Sequence, residues 1–214
     1  MLKSLLFLLL LTLPALAQGA PGGKAPTIPA LSPQTAFHQW VEAFISQGST
    51  DAGLDSCLPV VFHGSRLAFD KVKPYRSRRG TATQIKWDGE AIFATADPRV
   101  ALFYTYNRAP GFSAGINLIG YTSPDRPLTY YLSGGKSQQE AVERLFGNAS
   151  DPQSCRGYIY VLAKQYFYRE SGLGTMECIS RDPASNLWRL DIDRRQEVDR
   201  LVASGKVLLK WSVD

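Results

Sequence analysis

Short apolar runs, each closed by a polar or turn-forming group, most restrict the folds open to this chain. They are Leu58–Phe62, Ala91–Ala94, Tyr158–Leu162, Met176–Ile179, Trp188–Ile192 and Val207–Trp211, with the length and composition of buried strands. Helical periodicity falls between them irregularly. Ser32-Pro33 supplies a cap and a first-position proline, after which Phe37, Trp40, Val41, Phe44 and Ile45 recur at helical spacing. His38 lies off that stripe and reads as a surface residue. Asp97-Pro98 opens a second helix carrying Val100, Ala101, Phe103 and Tyr104. Ser137–Phe146 is amphipathic, and Arg194–Ala203 reads as a helix ended by Gly205. Between Gly111 and Ser133, Ile116–Ile119 and Leu128–Leu132 are strand-like, with their pairing left open. No strand-helix unit repeats, so the expected class is α+β, with mixed or antiparallel sheets flanked by helices in a single domain.

The N-terminus reads as a processing signal over residues 1–17. Lys3 gives the positive region, Leu5 to Leu13 the apolar core and Ala15-Leu16-Ala17 the cleavage site. That core is too short for a membrane span, and no later segment reaches the required length. The mature protein is therefore expected to be exported, secreted or periplasmic, and soluble. Residues 18–33, rich in Gly, Pro and Ala, read as a flexible leader, and residues 34–214 as the folded domain. Losing Lys3 with the signal lowers the formal charge of +5 by one, a mild excess that favours phosphate-bearing ligands without requiring them. No basic tract with interleaved aromatics points to nucleic-acid binding as the main function.

Three cysteines, Cys57, Cys155 and Cys178, in an oxidising compartment suggest one disulfide and one thiol left over. Cys57 and Cys155 each precede an apolar run, which favours that pair, and Cys178 inside a strand reads as a buried, inert thiol. With only His38 and His63 as histidines, a Cys/His catalytic pair has few ways to form. No cysteine or histidine pair shows metal-ligand spacing, so no metal is expected.

The first strand ends in His63-Gly64-Ser65, polar groups gathered where sites tend to sit. Taken alone, the triplet also reads as a strand cap and a turn. Asp70 to Gly80 reads as a basic loop with Tyr75 in its middle. It is either a solvated charge run or a loop whose Arg76, Arg78 or Arg79 meets a ligand phosphate.

Three separated pieces together resemble the ADP-ribosyltransferases of the His-Tyr-Glu type, the diphtheria-toxin and poly(ADP-ribose) polymerase group. His63-Gly64-Ser65 is similar to that family's H-G-[ST] at a strand end. Gly89 to Thr95 followed by Ala101 to Tyr104 resembles its aromatic strand and helix tyrosine, with Phe93 and Tyr104 at the family's spacing. Thr175-Met176-Glu177-Cys178-Ile179-Ser180 is similar to the late strand that carries the catalytic glutamate. The resemblance runs from about residue 58 to residue 192 and implies the family's split sheets.

It also implies a chemistry. Cleaving nicotinamide from the ribose of NAD, the co-substrate, develops oxocarbenium-like charge that a carboxylate stabilises, a role that falls to Glu177. Phe93 and Tyr104 would form an aromatic slot for the flat cationic nicotinamide. Gly64 would bond the carboxamide, its missing side chain allowing close approach. His63 would donate to a hydroxyl of the adenosine ribose, with Ser65 supporting that ribose and Arg76 reaching a phosphate. Departures from the family pattern are Phe93 in place of the commoner tyrosine, Ala101 where the polymerases carry a serine, and Thr175 where arginine- and asparagine-directed toxins carry Glu or Gln. The loop Glu170 to Gly174 would recognise the target. The implied activity is exported mono-ADP-ribosyl transfer, by a monomer, to a protein or nucleic-acid acceptor, plausible for a toxin or effector. NAD hydrolysis and a non-catalytic binding module stay open as alternatives.

Overall fold

The computed structural model describes residues 32–46, 58–80, 85–107, 115–119, 126–170, 177–184 and 186–212. The expected signal peptide, most of the leader, Cys57, Thr175 and the Gly172–Gly174 loop lie outside them. The order is α1 (Pro33–Ser46), β1 (Val60–Ser65), β2 (Tyr75–Gly80), β3 (Ile85–Thr95), α2 (Pro98–Phe103), β4 (Gly115–Ile119) and β5 (Leu128–Ser133). It continues with α3 (Gln138–Phe146), β6 (Arg156–Ala163), a short 3-10 turn, β7 (Glu177–Ser180), β8 (Asn186–Asp193), α4 (Arg194–Ala203) and β9 (Val207–Ser212).

Among the described residues the strands form a six-stranded sheet in the order β2-β3-β1-β6-β8, with β7 also on β3, and a three-stranded sheet β4-β5-β9. Pairing in the larger sheet is antiparallel, whereas β9 runs parallel to β5. The class is thus α+β with mixed strand directions. No helix among the described residues is long and apolar enough to cross a membrane.

Two segments differ from the sequence reading. β1 does not stop before the polar triplet: His63, Gly64 and Ser65 stay in the strand, paired with Tyr160, Ile159 and Tyr158. The apolar pattern ended at Phe62, but the ladder to β6 continues. The second half of the basic run, Tyr75–Gly80, is a strand as well, not a loop. It pairs with β3, with Arg76 opposite Glu90 and Arg78 opposite Asp88 in the register, and the ion pair of Arg76 with Asp88 across the ladder helps stabilise what composition alone assigns to solvent.

β1 and β3 meet in register at Phe62↔Thr95. Beyond that point β1 follows β6 while β3 follows β7 and β2, so the two strands part. Side chains alternate between the faces of a sheet, so Phe62, Gly64, Phe93, Thr95, Glu177 and Ile179 share one face. The Trp40 ring of α1 packs edge-on against Phe62 there, 5.7 Å away. Val61, Ile92, Ala94, Tyr158, Tyr160, Leu162 and Cys178 fill the other face, under Val72, Phe167 and Ala184.

α2 is buried along its length. Asp97 caps it by accepting from the Arg99 backbone at 2.8 Å, with Pro98 in the first turn. The Arg99 guanidinium pairs with the same carboxylate at 2.8 Å and donates to the carbonyls of Arg126 and Lys206. A helix this short depends on such tertiary anchors rather than on propensity.

His38 is partly exposed, as its place off the stripe suggested, but it is not simply solvated. Its Nε2 lies 2.7 Å from the carboxylate of Glu197, a fully buried residue of α4; burial holds that carboxyl above the usual range, with His38 and Arg200 pulling it down. Cys155 and Cys178 are both buried and free. The expected Cys57–Cys155 bridge is therefore not formed in this structure, and the Cys155 thiol donates to the Asn148 carbonyl at 3.2 Å. Burial pushes the Cys178 thiol up to about 12, which keeps it an inert thiol at neutral pH, as the strand position suggested.

Candidate active site

The ladder between β3 and β7 sets Glu177 beside Thr95, the last residue of β3. The chain then turns through Ala96 and Asp97 into α2, which folds back over the face that Glu177 occupies. Six helical residues advance about 9 Å, and the next position is Tyr104, the residue that ends the helix. Its hydroxyl donates to Glu177 Oε1 at 2.6 Å. Glu177 is 8% exposed, and a charge-assisted bond of this length orients a carboxylate that water reaches only in part. The residue expected to be catalytic and one of those expected to form the nicotinamide slot, 73 positions apart in the chain, are thus in direct contact.

Phe93 lies two residues before Thr95 and on the same face as Glu177. It is nearly buried, and its ring centroid is 5.8 Å from that of Tyr75, the outer member of the pair at 43% exposure. Tyr75 was legible only as an aromatic within a basic run. In the structure its exposed ring packs against Phe93, which is buried in a cluster with Ala91 and Ile179.

Gly64 serves α2. A Cβ at this position would stand 1.8 Å from the Ala101 carbonyl oxygen and 3.2 Å from the Thr105 methyl carbon. The missing side chain therefore admits the helix that carries Tyr104, where the sequence reading had it admit a ligand. Ala101 is fully buried in the same contact.

His63 Nδ1 lies 2.6 Å from the carbonyl oxygen of Phe93, so the imidazole spans the place where β1 and β3 part. A carbonyl only accepts, so Nδ1 carries the proton. Burial drives the ring's pKa below 6.5, with the Phe93 bond opposing, so the ring is neutral at pH 7 and Nε2 is an acceptor. The sequence expectation had His63 donate to a ligand hydroxyl; with Nδ1 committed to the Phe93 carbonyl, the neutral ring has only the acceptor Nε2 to offer. The same shift has a stability consequence. The unfolded chain takes up a proton first on acidification, so the contribution of His63 is complete above about pH 6.5 and declines below it. In urea denaturation at about pH 5 and about pH 7.5, wild type should lose more stability on acidification than His63→Gln. Equal losses would contradict the assignment.

Ser65 Oγ accepts from Leu67 N at 3.0 Å and holds the chain as it leaves β1. Tyr160, opposite His63 in the ladder, has its ring 6.0 Å from the imidazole. Its hydroxyl accepts from Phe69 N and donates to Leu67 O. Tyr160 thereby fixes the segment after the triplet, a role that only the spacing of two tyrosines in one buried strand could have signalled.

Arg76 does not join this group. It pairs with Asp88 at 2.9 Å and is largely exposed, and strand alternation puts it on the face opposite Tyr75 and Phe93. The side chains of Arg78 and Arg79 lie outside what is described. Glu170, the other acidic residue near the late strand, is held by Arg181, which donates to both its oxygens at 3.0 Å and to the Tyr168 hydroxyl. Tyr168 in turn bridges to Ile179. Among the described residues no cluster of His, Cys, Asp and Glu could hold a metal ion.

No known protein family, curated protein or solved structure matches the chain.

Proposed function

We propose that the protein is a mono-ADP-ribosyltransferase of the His-Tyr-Glu type, which cleaves NAD between nicotinamide and ribose and passes ADP-ribose to a protein or nucleic-acid acceptor. The observation that carries this reading is the 2.6 Å bond from Tyr104 to Glu177, made on the sheet face that also holds Phe93. A buried carboxylate held by a tyrosine suits a reaction whose positive charge grows on a sugar. The rings of Tyr104 and Phe93 supply stacking surface for the nicotinamide, which must displace or slide along the Tyr75 ring to reach Phe93. His63, neutral and with Nε2 accepting, takes a hydrogen bond from a hydroxyl of the adenosine ribose. The parting of β1 and β3 provides the split in the sheet in which a dinucleotide lies. Arg76 reaches a phosphate only once its pair with Asp88 opens. Export through residues 1–17 goes with a secreted effector or toxin.

The mature protein is incubated with NAD labelled in the nicotinamide or in the adenylate, together with a cell extract. Nicotinamide release with adenylate label on a macromolecule is the expected outcome. Release without transfer makes the protein an NAD hydrolase, and neither outcome in any extract leaves a binding module and sinks the proposal.

A further inference from the structure

Arg194, the first residue of α4, is 2% exposed. Its Nη1 donates to the Thr105 carbonyl at 2.6 Å and to Asn107 Oδ1 at 3.2 Å, Nε donates to the Cys155 carbonyl at 3.2 Å, and Nη2 donates to the Ser154 carbonyl. Its aliphatic stem crosses β6 at Gly157, where a Cβ would come within 2.5 Å of Arg194 Cγ and Cδ. Each of these acceptors is a neutral oxygen. Burying a guanidinium against neutral partners is costly, and burial lowers the Arg194 pKa to about 10, with Arg66 adding to the effect.

What the guanidinium holds is the turn directly after Tyr104. Thr105 is the next residue, and its methyl faces Gly64. Asn107 is tied to the end of α3 through its backbone on the Leu145 carbonyl and its amide on the Arg144 carbonyl, both at 2.8 Å. The Tyr104 hydroxyl therefore sits at the end of a strut with fixed points in α2, α3, β6 and α4. The geometry points to Arg194 as a positioning residue that holds the Tyr104 hydroxyl on Glu177 by fixing the turn at Thr105 and Asn107. The catalytic part of this inference rests on the NAD-cleaving reading, and the positional part does not.

Arg194→Lys keeps the charge and loses the planar fork that serves several acceptors at once. With tyrosine labelled at ring carbon ζ, the Tyr104 signal is assigned by its loss in Tyr104→Phe, and Glu177→Gln marks where it moves when its acceptor changes. Arg194→Lys should shift the Tyr104 signal toward the Glu177→Gln position in a protein that still unfolds cooperatively. A signal left at the wild-type position overturns the inference. In nicotinamide release, Arg194→Lys should lower kcat about 100-fold with KM for NAD within about threefold. In a Tyr104→Phe background it should add no further loss, and losses that multiply in the double variant also overturn the inference. If Arg194→Lys does not fold, Asn107→Ser, which removes one acceptor of the fork, takes the same tests with a smaller shift expected. If wild type releases no nicotinamide, the NAD-cleaving reading fails, while the Tyr104 signal still decides the role of Arg194.

Discussion

Replacing Glu177 by Gln lowers nicotinamide release from NAD by about 1,000-fold, the effect expected when one preorganised charge is removed from a developing ion, and leaves NAD affinity and folding nearly unchanged. The amide is isosteric and still accepts from the Tyr104 hydroxyl, so the bond between the end of α2 and β7 persists. What disappears is the negative charge in a site where partial burial has excluded much of the water that would screen it. The measurement is steady-state nicotinamide release beside an NAD-binding titration. A variant with wild-type turnover would move the chemistry away from this carboxylate, with Glu170 next in line despite its clamp to Arg181.

Gly64→Ala destabilises the protein by about 3 kcal/mol, at the upper end for overpacking a filled site. The obstacle is a backbone carbonyl, Ala101 O, 1.8 Å from the new carbon, so no rotamer change relieves it. α2 must move off β1, and Tyr104 moves with it away from Glu177. Stability and nicotinamide release should therefore fall together in this variant, whereas Glu177→Gln separates them. Urea denaturation gives the first quantity. A loss below about 1 kcal/mol would mean that α2 does not press on β1 as described.

The elements that hold the site were mostly legible in the sequence because their patterns are local. Asp97-Pro98 announces the start of α2, and the spacing from Phe37 to Phe44 announces the buried stripe of α1. The apolar run Tyr158–Leu162 gives the core of β6. Pairing was not legible, because it is a contest between partners far apart in the chain. β2 carries too much positive charge to read as a strand until Glu90 and Asp88 are set across from Arg76 and Arg78, and β1 gains His63, Gly64 and Ser65 only because β6 runs beside them. The same limit applies to the site. The family resemblance, not residue type alone, singled out His63, Tyr104 and Glu177, but the protonation of His63 depends on the Phe93 carbonyl, and the use of Gly64 depends on Ala101. Arg194 gave no signal, since the first residue of a polar-looking helix is ordinarily solvated and only the fold buries it.

On the proposed reading, the rings of Phe93 and Tyr104 and the acid of Glu177 enclose one nicotinamide riboside. The most direct measurement is the set of intermolecular nuclear Overhauser effects between NAD and the Glu177→Gln protein, which binds without turning over. Contacts from the nicotinamide ring protons to the rings of Tyr104 and of Phe93 or Tyr75 are predicted. Nicotinamide contacts confined to other residues, or no contacts at saturating NAD, would contradict the account.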